Sequence, residues 1–245
     1  MKIPKIIHQT WKNENIPGKW KPFQQKVKQL HPDWEYRLWT DRDNMNFVKD
    51  NYPEFLNIFS SYPKNIMRAD VIRYLIMDKI GGLYLDLDYE MIKPFDLQND
   101  KIVLPLNRSR EFGDNCNSLG NSIFASVAGH QFWKDVINHL KQNQIIVKDY
   151  LQVLDVTGPG LLTKIFYQNN YKDTFTPERM VFHPPVPVNK KEYYEILNNG
   201  VSYGIHHGWG IWKERLTWFH LKIKLSQFNE FIGLGKKPSS LAESK

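Results

Sequence analysis

The sequence predicts an α/β fold, with a mainly parallel central sheet flanked by helices. Short runs of strand composition alternate with longer runs of helical spacing through most of the chain. Gly and Pro punctuate the joins between them. No internal repeat or low-complexity linker divides the 245 residues, so one domain over residues 1–245 is expected, ending in a helical tail from about residue 213.

Taken in order, "KIIHQTW" has strand composition and "KNENIPGKWKP" reads as a loop. "FQQKVKQLHP" has helical spacing and stops at a proline, and "WEYRLWTD" is a second strand. From Asp43 to Phe59 the chain reads as helix interrupted at Pro53. In "NIMRADVIRYLIMDKIGG", Ile66, Ala69, Ile72, Ile76 and Ile80 recur at helical spacing, and Gly81 supplies a C-cap. "GGLYLDLDYE" alternates with period two, placing Leu83, Leu85 and Leu87 on one strand face and Tyr84, Asp86 and Asp88 on the other. "KIVLPL" and "NSIFASV" read as short strands, "HQFWKDVINHLKQ" as a helix, and "VTGPGLLTKIFYQ" as a Gly-Pro loop entering a helix. "MVFHPPVPV" reads as extended, because consecutive prolines exclude a helix.

With 41% hydrophobic and 14% aromatic residues, the chain is globular rather than disordered. A net charge of +7 favours polyanions, phosphorylated ligands or an anionic membrane surface. The basic residues are spread along the chain with no long Lys/Arg block, which argues against a nucleic-acid partner. Cys116 is the single cysteine, so no intrachain disulfide forms and a reducing, cytoplasmic location is expected. The N-terminus has no signal-like apolar run, and stretches such as "VIRYLIM" are too short to span a bilayer.

Two groups carry chemistry. Asp86 and Asp88, as neighbours on one strand face, repel each other, and a divalent cation between them would relieve that repulsion; a solvated strand face is the alternative. Asp70 and Arg73 are three apart and share a helix face within hydrogen-bonding range. A surface ion pair is the bland reading of that pair, and its apolar neighbours favour a cleft instead.

"IPKIIHQTWK", "HPDWEYRLWTD", "RADVIRY", "GGLYLDLD", "TGPGLLT" and "IHHGWGIW", in this order, resemble the glycosyltransferases of family 32, the DXD sugar transferases related to the sugar-binding region of the large glucosylating toxins. The resemblance runs from Ile3 to about Trp212. It implies a GT-A nucleotide-sugar-binding sandwich, a nucleotide-sugar donor, Mn²⁺ or Mg²⁺ as cofactor, and retention of anomeric configuration. It further implies that Asp88 binds the metal, that Asp86 binds the metal or the donor ribose, and that His207, rather than His206, is a further ligand. Trp212 would donate its indole N–H to a phosphate or glycosidic oxygen, and Trp11 would stack on the nucleobase. Asp70 and Arg73 would bind donor-sugar hydroxyls, and Asn121 would face the reacting sugar. No carboxylate is placed as a nucleophile, so front-face substitution leads. UDP-galactose or UDP-glucose is the first choice of donor and GDP-mannose the second, with a saccharide or lipid-linked acceptor in surface polysaccharide or glycolipid synthesis. A non-catalytic nucleotide-sugar-binding module and a metal-dependent phosphohydrolase are the alternatives. The segment after Trp212, "KERLTWFHLKIKLSQFNEFIGLGKK", admits two readings: a C-terminal helix packed on the domain, or a basic amphipathic helix making peripheral contact with the inner face of a membrane.

Overall fold

The computed structural model describes residues 2–107, 117–143, 147 and 150–209. The chain begins with β1 (Ile6–Thr10), α1 (Lys21–Leu30), β2 (Glu35–Trp39), α2 (Asp41–Asn51), α3 (Leu56–Ser61), α4 (Asn65–Lys79), β3 (Gly82–Leu85) and β4 (Tyr89–Met91). It continues with β5 (Ile102–Val103), β6 (Leu106–Asn107), β7 (Ser118–Leu119), β8 (Ile123–Ser126), α5 (Gln131–Gln142), α6 (Tyr150–Val156) and α7 (Pro159–Gln168). Last come β9 (Thr174–Phe175), α8 (Arg179–Phe182), α9 (Lys190–Asn198) and β10 (Gly204–His206).

The central sheet has the order β2-β1-β3-β8-β5-β9. Strand β8 runs antiparallel to β3 and β5, while the other five share one direction. This is the mainly parallel sheet expected from the alternation of elements. A separate antiparallel ribbon joins β4 to β10. Pleat alternation sends Tyr84 and Phe124, opposite each other in register and stacked at 5.3 Å, into one core with Tyr74 and Trp133. Leu83, Leu85 and Ile123 point into the other core, against Ile7, Phe182 and Tyr203.

Helix α4 departs from a one-faced stripe. Met67 and every residue from Asp70 to Met77 are buried, because the helix lies among α2, α3, α5 and β3. Its exit is tight: Gly81 has φ +71°, donates its N–H to Met77 O at 3.1 Å, and a Cβ there would lie 2.6 Å from Ser126 O and Ala128 N. His8 fastens this turn, donating from Nε2 to Gly81 O at 2.9 Å and accepting at Nδ1 from the Trp39 indole at 3.0 Å. Burial pulls its pKa down to about 4, consistent with the neutral ring that both bonds require.

Two expectations change. "GGLYLDLDYE" is not one strand: the ladder with β8 ends at Leu85, and Asp86 to Asp88 form a turn closed by Tyr89 N–H to Asp86 O at 3.1 Å. The turn removes Leu87 from the face of Leu83 and Leu85 and packs it with Ile16 and Trp20. In "MVFHPPVPV" the first residues complete the helical turn α8, and only the part from His183 onward, where prolines remove N–H donors, is irregular.

Candidate functional site

The acidic turn lies at the carboxyl end of β3, beside the end of β1, where open α/β sheets place their ligands. Behind it, α4 presents Asp70 and Arg73, each 4% exposed. Arg73 donates from Nε to Ala69 O at 3.0 Å and from Nη1 to Asn121 O at 2.5 Å. Its guanidinium also pairs with Asp86 Oδ1 at 3.2 Å and Asp70 Oδ1 at 3.5 Å, and lies 4.7 Å over the Tyr84 ring. Burial opposes the guanidinium charge, but Asp86, Tyr84 and Asp70 outweigh it and keep Arg73 protonated. Asp70 accepts from Asn121 Nδ2 at 3.0 Å and Thr157 Oγ1 at 3.2 Å. Burial pushes its carboxyl up to about 7 against the pull of Arg73, with Asp86 adding to the rise.

Asp86 links this buried group to a more open one. Its Oδ1 accepts from Tyr84 Oη at 2.7 Å, while its backbone is tied to Ser122 O at 2.8 Å and to Gln9 Nε2 at 3.2 Å. Burial raises its pKa, with Arg73 opposing and Asp88 reinforcing the rise. Asp88 Oδ2 accepts the Trp209 backbone N–H at 2.8 Å, and its Oδ1 lies 3.3 Å from His206 Nε2. For Asp88, burial favours the neutral acid, but the hydrogen bond and charge of His206 prevail and lower its pKa. His206 is the mirror case: burial disfavours its charge, Asp88 outweighs burial, and the pKa rises.

Ligand atoms of Asp86, Asp88 and His206 all lie within 4.8 Å of one another. Two carboxylates and one imidazole suit Mn²⁺ and accommodate Mg²⁺, so the donor set fits a divalent cation.

It is His206, and not the expected His207, that the structure brings to the two acids. At the end of a strand consecutive side chains take opposite faces, and the register of β10 on β4, with His206 opposite Tyr89, turns His206 to the acids. His207 faces away, 2.9 Å from Glu90 Oε2 and stacked on Phe23 at 5.1 Å. The other Glu90 oxygen accepts from Tyr193 Oη at 2.6 Å, so this carboxylate is engaged away from the acid turn.

Of the other expected residues, Asn121 joins Asp70 and Arg73. Trp11 is half-buried, edge-on to Trp20 at 4.6 Å, and packs on the cluster containing Leu87, between the two acids. Its indole N–H goes to Asn15 O at 3.2 Å. Trp212, Cys116 and the tail lie outside the described residues. Sequence reasoning missed Tyr84, Gln9, Ser122 and Thr157 as supports of the acids. Tyr84 shared the alternation of Asp86 and Asp88, and Thr157 opens "TGPG", so two of the four left a trace.

This fold and site define a class: GT-A sandwiches that carry a DXD acidic motif at the strand ends. Residues 17–106 match the family described as "Glycosyltransferase sugar-binding region containing DXD motif", and the chain belongs to these DXD glycosyltransferases. It is 38% identical over 200 residues to inositol phosphoceramide mannosyltransferase 2 of Schizosaccharomyces pombe, covering 80% of this chain and 55% of that protein. It is 40% identical over 169 residues to the mannosyl phosphorylinositol ceramide synthase SUR1 of Saccharomyces cerevisiae, covering 68% of this chain and 42% of that one. The chain thus spans about half the length of the curated relatives it matches. Among solved structures, the PaToxG glycosyltransferase superposes with a TM-score of 0.54 at 16% identity over 95% of this chain and 88% of that one, a likeness of fold. Both curated relatives are named for mannose and a ceramide lipid, against the expectation that put UDP-galactose or UDP-glucose first.

Proposed function

We propose that this domain transfers mannose from GDP-mannose to the inositol-phosphate headgroup of a lipid, with retention of anomeric configuration. The observation that carries the reading is the juxtaposition of the Asp86–Asp88–His206 cluster with the buried Asp70–Arg73–Asn121 group. The names of the two relatives supply mannose and the phosphoinositol lipid. GDP-mannose thereby moves ahead of the UDP-hexoses, and glycolipid synthesis ahead of polysaccharide synthesis.

Mn²⁺ or Mg²⁺ held by Asp86, Asp88 and His206 would supply charge neutralisation for the departing diphosphate. The chain's own residues do the rest. Tyr84 and Arg73 fix the Asp86 carboxylate, so it meets its ligand without reorganising. Asp70 accepts hydrogen bonds and Asn121 donates one, and both are suited to sugar hydroxyls at the edge of the buried group. The Asp70 carboxylate is already committed to Asn121, Thr157 and Arg73, which disfavours a covalent glycosyl intermediate on it. In front-face substitution the acceptor oxygen bonds to the anomeric carbon on the side from which the diphosphate leaves. The acceptor hydroxyl proton passes to the leaving phosphate oxygen, so no enzyme base is consumed. Trp212 and Trp11 keep their expected roles at the leaving phosphate and the nucleobase as part of this proposal. Meeting a lipid acceptor requires contact with a membrane surface; no helix among the described residues is long and apolar enough to cross one.

The test is a donor panel of GDP-mannose, UDP-galactose and UDP-glucose with Mn²⁺ and an inositol phosphoceramide acceptor, with Asp88→Asn as control. GDP-mannose consumption and an α-linked product, both lost in the control, are expected. Turnover of a UDP-hexose alone would overturn the donor assignment, and an inverted product would overturn the front-face mechanism.

A further inference from the structure

We propose that Lys19 is a phosphate-binding residue of this site, an inference that rests on the transferase reading and extends it to a named contact. Lys19 belongs to the short 3-10 turn Gly18–Trp20, whose Trp20 ring is sunk into the core at 4% exposure. The anchored turn sends the lysine across two indoles: Nζ lies 4.7 Å from the Trp209 ring centroid and 5.3 Å from that of Trp20. Two π faces hold the ammonium in place. Trp209 in turn donates its backbone N–H to Asp88 Oδ2 at 2.8 Å, and Phe23 and His207 pack on its ring at 5.8 and 5.1 Å. The cradle of the lysine is thus built onto the acidic turn.

This fixed cation is available to an anion. Among the described residues no carboxylate forms an ion pair with Lys19. Asp88 lies close enough to act on its charge but is committed to Trp209 and His206. Contact with the two indoles lowers the pKa of the exposed ammonium, with Asp88 opposing. A divalent cation held by Asp86 and Asp88 would cancel the pull of Asp88 on Lys19 and leave two positive centres near one turn. An oxyanion between them satisfies both. A lysine acts on phosphate as a point charge, so it needs reach rather than a planar geometry. Two ligands of the proposed reaction carry that group: the donor diphosphate and the acceptor headgroup phosphate.

The experiment titrates wild type, Lys19→Gln and Lys19→Arg with GDP and guanosine in Mn²⁺ buffer, and with inositol 1-phosphate and inositol, by calorimetry. Lys19 is exposed, so both variants should keep the wild-type melting temperature. Loss of the charge-assisted contact should weaken phosphate binding by about 10-fold or more in Lys19→Gln, leave guanosine and inositol unchanged, and be largely restored in Lys19→Arg. A loss on GDP assigns Lys19 to the donor diphosphate. A loss on inositol 1-phosphate assigns it to the acceptor headgroup. Equal phosphate affinities in wild type and Lys19→Gln would overturn the proposal, as would a wild type that binds neither phosphate. Failure of the transferase reading is separate: phosphate binding would still depend on Lys19, but no nucleotide sugar would turn over.

Discussion

Asp86 belongs to two charge clusters that meet their charge differently. Toward the core, Asp70 and Arg73 are each 5% exposed at the side chain, and the guanidinium serves both Asp70 and Asp86. Toward the surface, Asp86, Asp88 and His206 are 25%, 15% and 25% exposed, and an imidazole rather than a guanidinium stands beside the two carboxylates. The inner cluster carries its counter-charge as a permanent part of the fold, whereas the outer one has a donor set that fits an added divalent cation. Stability and function should therefore separate on either side of one carboxylate.

Removing Arg73 is the strongest way to break that comparison. Arg73→Met would leave Asp70 and Asp86 without their shared buried cation and should cost roughly 3–5 kcal/mol in urea unfolding. Asp88→Asn keeps an acceptor for the Trp209 N–H and should shift stability by about 1 kcal/mol or less. Equal losses in the two variants would erase the distinction. In kinetics the order reverses: Asp88→Asn and His206→Ala, folded as wild type, should lower kcat/KM by about 100-fold or more.

The pH dependence sharpens the contrast at one carboxylate from each side, because Asp70 and Asp88 titrate with opposite sign. Asp70 has a raised folded-state pKa of about 7, so its contribution to stability is present when it is neutral at low pH and is lost as pH rises toward 7. Asp88 has a lowered one, so its contribution is present above the ordinary carboxylate range and lost as pH falls through its folded value. His8 and His183, held neutral by burial with pKa values of about 4 and about 3, add a common acid-side loss below pH 6.5. Chemical denaturation across pH should show Asp70→Asn flattening the profile between pH 4 and 7. The same measurement on Asp88→Asn should flatten only its acid limb. The smallest effect is expected at the Glu90–His207–Tyr193 group on the far face of the β4–β10 ribbon. There Tyr193→Phe removes one hydrogen bond, should cost about 1 kcal/mol in thermal unfolding, and should leave Mn²⁺ affinity unchanged.

Most of the order of strands and helices up to α5, and α7, was legible because it is local: spacing, caps and Gly or Pro breaks act within a few residues, whereas α6, β9, α9 and β10 were not read. The three-residue spacing of Asp70 and Arg73 was equally visible, but their depth was not, since α5 and the sheet that bury α4 lie elsewhere in the chain. The strand drawn through Asp86 and Asp88 failed for the same reason. Asp86 N–H to Ser122 O is the last bond toward β8, and the break follows where Tyr89 N–H closes the turn on Asp86 O and β4 leaves to pair with β10. The choice between His206 and His207 depended on one register across 117 positions, from His206 back to Tyr89. Lys19 carries no motif of its own and becomes visible only once Trp209 is folded over it.

The most direct test is Mn²⁺ binding, followed by the loss of the free-ion paramagnetic resonance signal, in wild type, Asp70→Asn, Asp88→Asn, His206→Ala and His207→Ala. One site should be present in wild type and retained in Asp70→Asn and His207→Ala. It should be lost or weakened by about 10-fold or more in Asp88→Asn and His206→Ala. Loss in His207→Ala with retention in His206→Ala would contradict the assignment of the outer cluster, and the site built on it with it.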